Sequence, residues 1–238
     1  MLTGAFRWLY LRLTEKLYTE WAGIYDLVSA IVSLGQWHQW RLDALQFTHG
    51  ESILELGPGT GHLLAAMADS GHKGVGAEAS PQMAVRASRR IRDRGARPAV
   101  VQTVAQALPF ENECFDSVVS TFPAGYILDS DTLQEVTRVL CTSSHAYVPG
   151  RLVVAGLWTD TSHGIWRWLF APFYGHPHIR AMQALTSSLQ EAGLSPAIFE
   201  LLSGNFRIGY IVAIKLASAH GDRVSLHIEP QGKGRARA

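Results

Sequence analysis

The chain has 238 residues, a formal net charge of +1, 47% hydrophobic and 17% charged residues, and two cysteines, Cys114 and Cys141. This is a globular composition, long enough to bury a core of its own. Near-neutrality gives no global argument for a nucleic-acid partner, and two cysteines without metal-ligand spacing make neither a disulfide framework nor a metal site.

The N-terminal segment MLTGAFRWLYLRLTEKLYTEW does not read as a signal peptide, because Arg7, Arg12, Glu15 and Lys16 interrupt its apolar residues. The longest apolar stretches, such as 27–34, fall far short of the ~20 residues that cross a bilayer. A cytoplasmic protein, soluble or peripheral at a membrane, is expected. Residues 6–47 carry helical spacing, with Leu9, Leu13, Leu17 and Trp21 and then Leu27, Ile31 and Leu34 in register, and predict an N-terminal helical cap over 1–47.

From there strand and helix alternate. Strands are predicted at 52–56, 74–78, 99–103, 115–121 and 151–157, with helices at 62–70, 81–94 and 132–140 between them. This rhythm predicts an α/β fold, a mostly parallel sheet covered by helices on both faces. An aromatic insert at 164–178 interrupts it. A helix at 182–192 and a closing strand pair at 199–203 and 210–216 follow. The domain would run over 48–216, and the tail 217–238, rich in Gly, Arg and Pro, lacks a core pattern apart from a short apolar run at 224–228.

The strongest chemical signal is Ile53-Leu54-Glu55-Leu56-Gly57-Pro58-Gly59-Thr60-Gly61. A strand runs directly into a glycine-rich turn that opens a helix, where glycines let the backbone approach a ligand that a Cβ would exclude. A plain turn needs one or two glycines rather than three in alternation. A dinucleotide fold needs Gly-x-Gly-x-x-Gly. His62 and Leu64 stand where the third glycine would be.

The pattern Glu-x-Gly-x-Gly-x-Gly after an apolar strand resembles motif I of class I S-adenosylmethionine-dependent methyltransferases. Tyr25-Asp26-Leu27-Val28, Trp40-Arg41 and Leu45 upstream resemble the ubiquinone/menaquinone C-methyltransferase group. The resemblance implies a Rossmann-like seven-stranded sheet with the last strand antiparallel, and S-adenosylmethionine as methyl donor. It implies that Gly57, Gly59 and Gly61 line the methionine end, with Glu55 near its amino group. Glu78, closing the second strand, would accept the ribose hydroxyls, and Ala79 and Met83 would flank the adenine, unless Met83 is core. Ala105-Gln106-Ala107-Leu108-Pro109-Phe110 followed by Phe115-Asp116-Ser117-Val118 resembles a further signature of the family, placing Ala105 and Gln106 at the adenine edge. The family often carries Gly-Asp before that alanine; here Thr103 and Val104 stand there. Thr121 and Phe122, at the carboxyl end of the fourth strand, would lie close to the methyl group, and Asp116 reads as a residue that orients that strand.

Methyl transfer from a sulfonium is an in-line displacement, so alignment and exclusion of water do most of the work. A general base is needed only where the acceptor must lose a proton. Tyr25, Tyr126, His163 and His176 are the candidates, with Tyr25 read equally as a lid residue or as packing. The insert Ile165-Trp166-Arg167-Trp168-Leu169-Phe170 suits a hydrophobic acceptor, quinol-, lipid- or phenol-like, or a helix packed on the sheet. The segment Phe6-Arg7-Trp8-Leu9-Tyr10-Leu11-Arg12 suits a membrane surface or packing on the domain. Three functions stay open: a methyltransferase of a small apolar acceptor, one of a macromolecular acceptor, and a non-catalytic protein of the same fold.

Overall fold

All seven apolar runs between residues 52 and 216 pair into a single sheet. The computed structural model describes residues 35–97, 99–123, 125–142, 148–161, 179–203 and 206–216. The expectations for the cap before residue 35 with Tyr25, for the insert with His163 and His176, and for the tail fall outside these residues.

The strands are β1 (Ser52–Leu56), β2 (Lys73–Glu78), β3 (Val100–Gln102), β4 (Ser117–Thr121), β5 (Arg151–Thr161), β6 (Leu194–Ser203) and β7 (Phe206–Lys215), in the spatial order β3-β2-β1-β4-β5-β7-β6. Strands β1 to β5 pair in parallel; β7 runs antiparallel to β5 and to β6. The helices are α1 (Trp37–Asp43), α2 (His62–Asp69), α3 (Pro81–Arg92), α4 (Ser130–Val139) and α5 (Ile179–Glu191), with a 3-10 turn at Ala44–Phe47 and another at Gly125–Leu128. This is the Rossmann-like sheet that the sequence predicts.

Period-two alternation sorts the core into two layers. Ile53, Val119, Val153 and Val212 face one side, against Trp40 of α1 and Leu63 and Met67 of α2. Leu54, Leu56, Val118, Leu152 and Ile211 face the other, against Leu133 and Val136 of α4 and Leu185 and Leu189 of α5. Each such fully buried aliphatic side chain contributes roughly 1.5–3 kcal/mol. The part of the cap that is described belongs to the first layer: Trp40 is fully buried, edge-on to Phe206, and its carbonyl accepts a hydrogen bond from the Tyr210 hydroxyl at 3.0 Å.

Element bounds differ from the sequence prediction where side chains intervene. β4 starts at Ser117 rather than 115, because the Asp116 carboxylate turns aside to accept from the Glu51 and Ser52 N–H groups at 3.0 and 3.1 Å. Helix α4 starts at Ser130, capped by Asp129, whose Oδ1 accepts from Asp131 N at 3.0 Å. β6 extends back to Leu194 through Pro196, which an edge strand tolerates because its outer side needs no N–H donor.

Chain order reverses between β1 and β4: after β1 the chain goes on to β2 and β3 on one side, then returns to β4 and β5 on the other. Open α/β sheets bind ligands at such a reversal, beyond the carboxyl ends of the strands.

Candidate functional site

At that point β1 ends in the glycine elbow. Its ladder runs one residue further, Gly57 N–H donating to Ala77 O at 2.9 Å. Gly59 has φ +57°, and a Cβ placed on it would meet no atom within 4 Å, so the backbone there faces open space. Gly61 differs. A Cβ on it would stand 2.7 Å from Ala87 Cα of α3. Its missing side chain lets α2 and α3 approach, and it is not among the residues lining the cleft beside Gly57 and Gly59. The three alternating glycines therefore serve two purposes.

Glu78 closes β2 and reaches back to the elbow. Its Oε2 accepts from Gly59 N at 2.9 Å and its Oε1 from Ser80 N at 2.8 Å, and the residue is 8% exposed. Two backbone donors thus fix the carboxylate before any ligand arrives. Ionised carboxylate oxygens have about four lone-pair sites between them, which leaves acceptor capacity for two hydroxyls. Ser80 also caps α3, its Oγ accepting from Met83 N at 3.4 Å, with Pro81 opening the helix.

Gly57, Gly59, Glu78, Ala79 and Thr121 all line one cleft, with a volume of about 230 Å³. A water takes roughly 30 Å³ of liquid, so the space admits an organic group. The remaining predicted residues sit elsewhere. Met83 is fully buried in the core. Ala105 packs against the layer under α4, and the Gln106 amide donates to Asp129 Oδ2 at 3.1 Å. The loop that carries them is tied to α4 by Arg138, which donates to Leu108 O and Phe110 O at 2.9 and 2.7 Å.

Glu55 lies under the elbow, 1% exposed. Burial pushes its carboxyl up to about 8; the Arg41 guanidinium pulls it down, Glu78 adds a further push up, and a hydrogen bond from the Leu64 backbone opposes it. Its Oε2 has no hydrogen-bond partner among the described residues. At neutral pH this is a largely protonated acid below a backbone turn, where the sequence suggests a carboxylate.

The other side of the cleft comes from Trp37 and Arg41 of α1 and from Phe122, Pro123 and Tyr126 after β4. The Tyr126 hydroxyl donates to Leu56 O at 3.1 Å and pairs with Ser120 Oγ at 2.8 Å, directly beneath Gly57. As a base candidate it is thus engaged with a carbonyl. Phe122 has φ +50°, uncommon for a bulky residue. It is held by its N–H donating to Ala155 O at 2.7 Å and by stacking on Trp37 at 3.9 Å between ring centroids. Trp37 and Arg41 were not read as site residues from the sequence. Their spacing of four on one helix places both on one face, which is the signal available for them.

No helix among the described residues is long and apolar enough to cross a membrane.

A family model for a methyltransferase domain matches residues 53–143. Over 159 residues the chain is 33% identical to the ubiquinone/menaquinone biosynthesis C-methyltransferase of Xylella fastidiosa, covering 61% of each chain. It is 30% identical over 195 residues to the demethylmenaquinone methyltransferase of Beutenbergia cavernae, covering 80% of this chain and 74% of that one. The chain thus spans about three fifths of the length of the first of these relatives. Among solved structures it resembles an S-adenosylmethionine-dependent methyltransferase of Thermotoga maritima, described as a possible histamine N-methyltransferase. That match has a TM-score of 0.58 at 20% identity, covering 84% of this chain and 98% of that one.

Proposed function

The chain belongs to the class I S-adenosylmethionine-dependent methyltransferases, and from that membership we propose that it transfers a methyl group from S-adenosylmethionine to a small, hydrophobic acceptor. The observation that carries the reading is the hydrogen bond from Gly59 N–H to Glu78, which joins the elbow to the carboxylate beside the open space that a Cβ on Gly59 would enter. The donor supplies a methyl already activated on a sulfonium.

The chain's own residues hold and shield it. Gly57 and Gly59 give the methionine end room against the backbone. Glu78, pinned by two N–H groups, accepts the ribose hydroxyls on its remaining lone pairs. Ala79 offers a small flank to the adenine. Ala105 and Gln106 stay candidates for the adenine edge through their backbone, because the Gln106 side chain is engaged with Asp129. The buried acid Glu55, with one oxygen unpartnered, suits a ligand that brings an ammonium group. Thr121 borders the reacting centre, and the apolar wall of Trp37 and Phe122 excludes water from it.

A small apolar acceptor is supported by that wall and by relatives named for quinone biosynthesis. Calorimetry tests the donor site. S-adenosylmethionine and its demethylated product should bind in the micromolar range. Gly59→Val should abolish that binding, because it fills the open space, and Glu78→Gln should weaken it at least tenfold, in variants whose circular dichroism is unchanged. Tight NAD binding with none of the methyl donor would overturn the proposal.

A further inference from the structure

Thr60 stands between two glycines in left-handed backbone, Gly59 at φ +57° and Gly61 at φ +79°. Glycine adopts either sign of φ at little steric cost. The peptide planes that precede these two glycines can therefore turn over without a side-chain clash, and an elbow built this way needs outside contacts to hold one shape. Two opposite charges supply them. The Glu78 carboxylate accepts from Gly59 N–H at 2.9 Å, which fixes the plane before that glycine. The Arg90 guanidinium grips Thr60: its Nη1 donates to Thr60 O at 2.8 Å and to Thr60 Oγ1 at 2.9 Å, which fixes the plane before Gly61. The N–H of that same plane, on Gly61, donates to Pro58 O at 2.9 Å and closes the turn.

The reach from α3 follows from Gly61. Ala87 lies where a Cβ on that glycine would stand, and Arg90 comes three residues later on the same face of the helix. Thr60 is 3% exposed and Arg90 half-buried, so solvent screens the contact only in part. Hydrogen bonds from a charged donor are stronger than neutral ones. The link runs through a long side chain, which absorbs small shifts of α3 but leaves nothing in place once the guanidinium is removed.

We propose that Arg90 is a positioning residue of the donor site: it locks the Thr60–Gly61 peptide, so that the elbow holds its donor-accepting shape in advance of binding. This rests on the donor reading above. Arg90 is not among the residues lining the cleft, so it acts on the donor through Thr60. A contact that serves the elbow alone is the same whether the donor carries its methyl group or has lost it, and affinity for both forms should depend on it equally. Arg90 acting as a bare charge would instead disfavour the cationic sulfonium against the neutral product, and its removal would change their ratio.

Calorimetry on the full chain, with S-adenosylmethionine and with its demethylated product, tests this. Arg90→Met should weaken both ligands by the same factor, about tenfold, the effect of one charged hydrogen bond. Arg90→Lys, which keeps a charge that can reach the carbonyl, should recover part of the loss. Thr60→Val should weaken both about threefold, and adding it to Arg90→Met should change nothing further, since the two act through one contact. Exchange of the Gly61 amide hydrogen, followed by NMR, should quicken about tenfold in Arg90→Met while the amides of β1 keep their rates. Arg86→Met, on the exposed face of α3, should match the parent. Parental affinity in Arg90→Met, unequal loss for the two ligands, additive losses in the double variant, or equal quickening of exchange in β1 overturns the proposal. Should Arg90→Met not fold, parental affinity in Thr60→Val overturns it. Failure of the unmodified chain to bind either ligand overturns the donor reading with it.

Discussion

The two walls of the cleft are made of different material. One wall is largely backbone: Gly57 and Gly59 line it, and the charged group there, Glu78, is pinned by two amide N–H groups. The facing wall is side chain: the rings of Trp37, Phe122 and Tyr126 and the Arg41 guanidinium, brought together from α1 and the segment after β4. A side-chain wall can be remodelled residue by residue.

The largest effect tests whether the elbow is uniform. Gly61 faces α3 rather than the cleft, so Gly61→Val pushes a β-branched side chain into Ala87 Cα at φ +79°. Strain and overpacking together should lower stability by about 4 kcal/mol, read by urea unfolding. Donor affinity of the fraction that folds should stay within a few-fold. A stable variant that has lost the donor would return Gly61 to the pocket, as the sequence resemblance implies.

The next effect separates the elbow from what lies under it. Glu55 ionises near 4.5 in an unfolded chain but near 8 in the folded one. Between those values the folded state holds a proton that the unfolded state lacks, so stability falls as pH rises through this window and levels off above it. About 3 kcal/mol should be lost between pH 5 and 7.5 at ~1.4 kcal/mol per unit. Glu55→Gln should flatten that slope. A variant with the same slope as the parent would show that the buried acid is not its source.

The comparison also explains what could be read in advance. The glycine elbow, Glu78 at the end of its strand and the alternation of strands with helices were legible because each is local: a glycine spacing, a strand-ending acid, alternating apolar runs. The two-layer core followed from period two, and the cap's last turn from the Trp37–Phe47 segment. Trp37 and Arg41 were not legible as site residues, because a tryptophan and an arginine on an amphipathic helix read as packing and solvation. Their place in the cleft appears only when the sheet brings Phe122 to them. Gly61, which the resemblance implies at the methionine end, packs against α3 and is not in the cleft lining. A motif groups three glycines by spacing, while a helix–helix approach and an open pocket both demand the same missing Cβ. Gln106 was assigned from its position after Ala105, and its amide found Asp129 instead.

Tyr126 spans the two walls and should give the smallest effect. Its ring lines the cleft, and its hydroxyl sits under Gly57, donating to Leu56 O and pairing with Ser120 Oγ. A hydroxyl held in this way supports the elbow from below. A net hydrogen bond of this kind contributes about 1 kcal/mol, and Ser120 Oγ keeps its own bond to Leu56 O at 3.1 Å when Tyr126 is gone. Tyr126→Phe should therefore lower stability by about 1 kcal/mol and slow methyl transfer by less than tenfold, with the shape of the pH profile unchanged. General-base catalysis typically contributes 10²–10⁴-fold. A hundredfold loss of kcat with the alkaline limb of the profile displaced would make Tyr126 the base.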